Sequence, residues 1–184
     1  MLNRLREVFF KRLLKNTLAE QNRQRKTHTL HSAKSVGILF DATNEQHRKE
    51  VLQLSERLKA ERRQQVRLLG YVDSRQPLGQ TLFPQFTQKE INWQGKPHGN
   101  AADTFLQETH DVVLCLNSDH LPALHWLAVA AKAGTKIGTA TTAPNDFDIM
   151  LEAPAEKGLL FFMDQLEHYL EKIIPTKHGS ASTP

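Results

Sequence analysis

Apolar positions in the first twenty residues recur at helical spacing. Leu2, Leu5, Phe9 and Leu13 fall three and four apart, with Phe10, Leu14 and Leu18 forming an adjoining row. No proline or glycine precedes Gly37. The pattern predicts an amphipathic helix over about residues 2–26, roughly 36 Å long at about 1.5 Å per residue. Its apolar face is wide and has to be covered.

After a polar connector (27–33) the pattern changes. Ser35-Val-Gly-Ile-Leu-Phe40 is a continuous apolar run with the character of a buried strand, stopped by Asp41-Ala-Thr-Asn44. Residues 45–61 turn helical with Val51, Leu54 and Leu58 inward, and Thr43 with Gln46 predicts a capping box. A second strand follows over 65–72, ending at Asp73. The stretch 74–99 holds Pro77, Gly79, Pro84, Gly95, Pro97 and Gly99 and reads mostly as loop, with a short strand or turn at 89–93. Phe83, Phe86, Ile91 and Trp93 imply that this loop packs on the domain. A short helix is predicted over 101–108, a strand over 111–117, and a helix over 121–133 that Gly134 ends as a C-cap. Strands at 136–140 and 147–151 and a closing helix at 158–174, with Leu159, Phe162, Leu166, Tyr169 and Leu170 on one side and stopped by Pro175, complete the chain.

Strands alternating with helices predict an α/β fold, a mainly parallel sheet covered on both faces. The expected architecture is a three-layer Rossmann-like or flavodoxin-like sandwich preceded by a basic amphipathic helix. The expected division is a helical arm and linker (1–33), the α/β domain (34–174) and a disordered polar tail (175–184). Trp93 and Trp126 are expected as core or interface aromatics.

Charge singles out the arm. The 184 residues carry 24 lysines and arginines against 20 acids. In residues 1–26, Arg4, Arg6, Lys11, Arg12, Lys15, Arg23, Arg25 and Lys26 face only Glu7 and Glu20, so the rest of the chain is slightly acidic. This points to an anionic partner for the arm. Arginine among amides in Asn22-Arg-Gln-Arg-Lys26 suits RNA or a ribosomal surface. Phe9, Phe10, Leu13 and Leu14 beside Lys11, Arg12 and Lys15 equally suit an anionic membrane surface. The third reading packs the arm on its own domain or on a second copy in a homodimer.

No apolar stretch approaches the roughly 18–20 residues that cross a bilayer, and the charged start has no secretory h-region. The one cysteine, Cys115, excludes an intrachain disulfide. Cytoplasmic location is expected.

Candidate chemistry lies at the carboxyl ends of the strands, where open α/β sheets bind ligands. Each end is polar: Asp41, Thr43 and Asn44; Asp73; Asn117, Ser118 and Asp119; Thr139, Thr141 and Thr142. They form either a ring for a polar small molecule or a set of helix caps and turn formers. Neither a Gly-x-Gly-x-x-Gly nor a P-loop occurs. Asp41 invites comparison with phospho-acceptor receiver domains, but the strand at 111–117 ends in Asn117 and no lysine follows the last strand. His28 and His31 have ligand spacing without an acidic or thiol partner, so no metal is expected. His125 lies near the strand edge without a nucleophile. Asn92-Trp-Gln-Gly-Lys-Pro-His-Gly99 places Lys96 and His98 between glycines ahead of a helix, either an anion-holding turn or a tight loop.

Three segments carry a resemblance: Ala33-Lys-Ser-Val-Gly-Ile-Leu-Phe-Asp-Ala-Thr43, Lys89-Glu-Ile-Asn-Trp-Gln-Gly-Lys-Pro97 and Phe147-Asp-Ile-Met150. With the basic first helix they resemble a bacterial family of unknown function over nearly the whole chain, which implies no activity. Residues 111–138 also look like the acceptor half of glycosyltransferases of the heptosyltransferase type. The second, nucleotide-sugar-binding half is missing from this sequence. The expectation is therefore a non-enzymatic module without cofactor, docking through its basic helix. The alternative is a small enzyme or sensor binding a nucleotide or nucleotide-sugar at the strand edge.

Overall fold

The computed structural model describes residues 2–116, 121–152, 161, 163–166 and 168–169. Its elements are α1 (Leu2–Glu20), β1 (Ser35–Asp41), α2 (Glu45–Arg62), β2 (Gln65–Val72), β3 (Gln85–Thr87), α3 (Asn100–Gln107), β4 (Thr109–Cys115), α4 (Pro122–Ala130), β5 (Lys132–Thr139) and β6 (Ile149–Leu151). The six strands form one sheet in the order β3-β2-β1-β4-β5-β6, and every neighbouring pair is parallel. The chain is an α/β protein with a helix in front.

Alternation along the central strands divides the core. Val36, Ile38 and Phe40 with Val112 and Leu114 face one side, where Val51, Leu54 and Leu58 of α2 meet Met163 and Leu166. Leu39, Val113 and Cys115 face the other, against Phe105 of α3 and Leu124, Leu127 and Ala128 of α4. Leu14 of α1 is fully buried in this second cluster. A sheet covered on both faces needs apolar residues at successive positions, which is why β1 is a continuous run and not an alternating one. Residues 161, 163–166, 168 and 169 are helical. Leu166 is buried as the closing helix requires, while Tyr169 is exposed. Leu159, Phe162 and Leu170 of that expected face lie outside the described residues.

Several local expectations are corrected. The first helix ends at Glu20, and residues 21–34 run on without helix or strand. The cap of α2 is Asn44, whose side-chain oxygen accepts from the backbone N–H of Gln46 and His47. Thr43 instead accepts from the Asp73 N–H at 2.8 Å. Gly134 is no helix cap, because α4 stops at Ala130 and Gly134 lies inside β5. Its missing side chain admits the arm: a Cβ there would meet His28 Cδ2 at 2.8 Å and the Asp111 carbonyl at 3.1 Å. β3 arises in the stretch read as loop, with Phe86 buried between Tyr71 and its neighbours.

Candidate functional site

The strand order reverses between β1 and β4, so the crevice beyond their carboxyl ends is where the fold positions a ligand. On the β1 side the polar residues bond to one another. The Asp41 carboxylate accepts from the Thr43 N–H at 2.8 Å, and His47 Nδ1 lies 2.9 Å from the Asp41 carbonyl. Arg48 donates to the carbonyls of Ala42 and Thr43 at 2.7 and 3.0 Å. The Asn44 side chain occupies the first-turn N–H groups of α2, the position where a dinucleotide fold holds pyrophosphate. Asp73 accepts from the Tyr71 hydroxyl at 2.9 Å and the Gln88 amide at 2.8 Å. The structure thus brings Asp41, Thr43, Asn44 and Asp73 together. Asn117, Ser118 and Asp119, which follow β4 in the sequence, lie outside the described residues.

The arm sorts its residues into two populations. Phe10, Leu13, Leu14 and Leu18 pack inward against the α4 side of the core, and Trp126 of α4 donates from Nε1 to Thr17 Oγ1 at 3.1 Å. Arg4, Leu5, Val8, Lys11, Arg12 and Lys15 are all exposed. At about 100° per residue they share an arc of roughly 120°, which contains no acid. Lys11 pairs with Glu7 on the arc's border at 2.7 Å. Arg4, Arg12 and Lys15 make no ion pair among the described residues. Leu5 and Val8 are 59% and 64% exposed, against the expectation that Leu5 belongs to the covered stripe. Trp93 lies on the flank of this surface, 61% exposed and edge-on to Phe9 at 5.3 Å, with its carbonyl accepting from Arg6 Nε at 3.4 Å.

The second basic cluster behaves differently. The Arg23 side chain is only 8% exposed. It donates to the carbonyls of Ala133, Gly134 and Asp146 at 2.9, 2.8 and 2.7 Å, and pairs with the carboxylates of Asp146 and Asp148. Arg23 fastens the arm to the domain and has no donor group turned to a partner. Arg25 is largely exposed and reaches Asp148 at 3.6 Å. Lys26 is exposed in its side chain, while its backbone N–H donates to the Gly134 carbonyl at 3.1 Å and its carbonyl accepts from Thr135 Oγ1 at 2.6 Å. The anionic-partner residues therefore separate: Arg4, Lys11, Arg12 and Lys15 lie on one outward face, and Arg23, Arg25 and Lys26 lie along the β5 seam.

Beneath this clasp is a buried charge that the pattern did not disclose. Lys136 is fully buried. Its Nζ donates to the Val129 carbonyl at 2.6 Å and to both Asp146 carboxylate oxygens at 3.1 and 2.9 Å. Burial pulls its pKa down to about 8, against the pull of Asp146 in the other direction. The only sequence signal was a lysine inside an apolar strand with two aspartates ten and twelve residues on.

The remaining candidates have structural roles. His125 is buried, with Nε2 lying 2.9 Å from the Pro144 carbonyl. Lys96 lies 5.0 Å over the Trp126 ring. No group of three or more metal-ligating side chains occurs among the described residues, and no described helix is long and apolar enough to cross a membrane. A pocket of about 370 Å³ opens between α1, residues 91–95 and the start of α4, with Phe10, Tyr71 and Ile91 in its walls. No sequence pattern announced it, because its walls come from segments far apart in the chain.

No curated protein matches the chain. A family model described as a family of unknown function (DUF6913) matches residues 6–173, so the chain belongs to that family.

Proposed function

We propose that this protein is a docking module that binds an anionic membrane surface through the outer face of α1 and the adjoining Trp93 turn. One observation carries the reading: exposed Leu5 and Val8 sit among Arg4, Lys11, Arg12 and Lys15, of which only Lys11 is paired, on an arc of α1 without acids, and exposed Trp93 lies beside it against Phe9. Unpaired cations draw the protein to anionic headgroups, and the apolar side chains between them insert at the acyl boundary. The inner face of the same helix is held by the core, so the surface is presented rigidly and needs no folding on binding. Lipid is favoured over RNA because Arg23, central to the motif that suited RNA, is bound to Asp146 and Asp148. The cytoplasmic leaflet is the matching surface, since it carries anionic lipid, and the buried reduced Cys115 suits that compartment.

The test is co-sedimentation with vesicles of mixed phosphatidylglycerol and phosphatidylcholine against pure phosphatidylcholine. Binding to the first alone is expected, falling as salt rises, and weakened by Val8→Ser. Equal binding to neutral vesicles, or none to either, contradicts the reading.

A second reading is favoured by the strand order. The crevice between β1 and β4 is the position for a nucleotide or nucleotide-sugar, contacted by Asp41, Thr43, Asn44 and Asp73. Thermal-shift screening of those compounds tests it. Stabilisation that disappears in Asp41→Ala supports the crevice as a site, and stabilisation unchanged in that variant removes it.

A further inference from the structure

The pocket beside α1 has an unbalanced composition. Its walls are apolar, built from Phe10, Tyr71, Ile91, Pro122 and Ala123, and charge reaches it only at Arg6 and Glu7. Its volume, about 370 Å³, falls in the range of roughly 300–1,000 Å³ found for small-molecule sites. Glu7 is ion-paired with Lys11 at 2.7 Å. Arg6 makes no ion pair among the described residues, and its Nε donates to the Trp93 carbonyl at 3.4 Å. The Tyr71 hydroxyl donates to Asp73, and burial followed by that carboxylate holds its phenol well above its ordinary pKa, so the wall it forms stays neutral. The first turn of α4 has no side-chain cap and adds positive potential on the opposite side.

An apolar chamber with one uncompensated cation at its rim matches a ligand with an apolar body and one anionic end. We propose that this pocket binds a single-chain anionic amphiphile, a long-chain carboxylate, with its alkyl chain among Phe10, Tyr71 and Ile91 and its carboxylate on the Arg6 guanidinium. Gly95 keeps the chamber open. Its φ is +88°, and a Cβ there would meet the Phe10 ring at 3.1 Å, so the turn closes over the pocket without displacing that ring. The site lies on the flank of α1, apart from the outward face that carries Val8, Arg12 and Lys15, and does not depend on membrane docking.

Calorimetric titration of the full chain with dodecanoate and with dodecanol tests the assignment. Saturable one-to-one dodecanoate binding is expected. Arg6→Gln, at an exposed position, is expected to weaken dodecanoate at least tenfold while leaving dodecanol unchanged. Ile91→Trp, with the fold checked by circular dichroism, is expected to abolish both by filling the chamber. Absence of dodecanoate binding below its micellar concentration overturns the proposal, as does equal affinity in the Arg6→Gln protein. Vesicle binding without dodecanoate binding removes the pocket alone, and dodecanoate binding without vesicle binding removes the docking reading alone.

Discussion

Arg23 and Asp148 form an ion pair across 125 positions of sequence, joining the segment after α1 to the residue just before β6. The same guanidinium reaches Asp146, which in turn accepts from the buried Lys136. Two cations and two carboxylates thus interlock where the arm crosses the edge of the sheet. These contacts hold the segment after α1 against β5 and the segment before β6.

Arg23→Gln is expected to destabilise the protein by about 1–3 kcal/mol, because it leaves the part-buried carboxylates of Asp146 and Asp148 with one cation fewer and three backbone carbonyls without their charged donor. Arg25→Gln, at a side chain 64% exposed, is expected to cost no more than about 1 kcal/mol. Urea unfolding of the two variants measures the difference. Equal small effects would show that the clasp is not closed in solution.

Leu14 provides the apolar half of the same attachment. Leu14→Ala is expected to lose about 2–5 kcal/mol, the range for a fully buried leucine, whereas Leu5→Ala on the outer face is expected to stay within about 0.5 kcal/mol. Thermal unfolding of both proteins distinguishes an arm packed on the domain from one that is loosely tethered. Comparable small losses would mean the latter.

The buried lysine predicts a pH dependence with a definite sign. The pKa of Lys136 is about 8 in the folded chain and about 10.4 when unfolded. Between those values the unfolded chain binds more protons, so stability from this group rises with pH through that window, by roughly 3 kcal/mol in total. Below about pH 8 both states are charged and the contribution is flat. His110 acts at the acid end. Burial lowers its pKa below the ordinary 6.5, so stability falls as pH drops through that value towards the folded one. Denaturant midpoints between pH 5 and 10 measure both effects, and Lys136→Met is expected to flatten the alkaline rise. An unchanged slope in that variant would contradict the assignment.

The fold was legible where one local rule decided. Ser35–Asp41 is a strand because an apolar run that short has to be covered on both faces, and Gln65–Val72 was readable to the residue. Gly134 misled because a glycine after a helical pattern signals a cap, while here it makes room for His28, some hundred residues earlier. Leu5 misled for a related reason. Its spacing matches the buried row, but the domain covers only the side of α1 that carries Phe10 and Leu14. The candidate site was half visible. Charge marked the arm, yet composition alone did not separate Arg12, which faces outward, from Arg23, which is clasped by aspartates brought from the segment before β6. Such partners meet only through the sheet order, which no local pattern encodes.

At the crevice, Asn44→Ala is expected to cost about 1 kcal/mol through loss of the α2 cap, whether or not a ligand binds there. Asp41→Ala removes the carboxylate that holds the Thr43 N–H. A thermal shift by a nucleotide that survives both changes would move the binding site away from these residues.

The docking claim meets its most direct test in the fluorescence of Trp93. The chain has two tryptophans, of which Trp126 is buried and hydrogen-bonded to Thr17 while Trp93 is exposed. In a Trp126→Phe protein, emission therefore reports Trp93 alone. Addition of phosphatidylglycerol-containing vesicles is expected to shift that emission to the blue and to protect it from aqueous quenchers. Paired replacement Arg12→Gln with Lys15→Gln should weaken the titration roughly thirtyfold, at about 1 kcal/mol per basic residue. An emission maximum that stays at its aqueous position while vesicles are titrated to saturation would contradict the account.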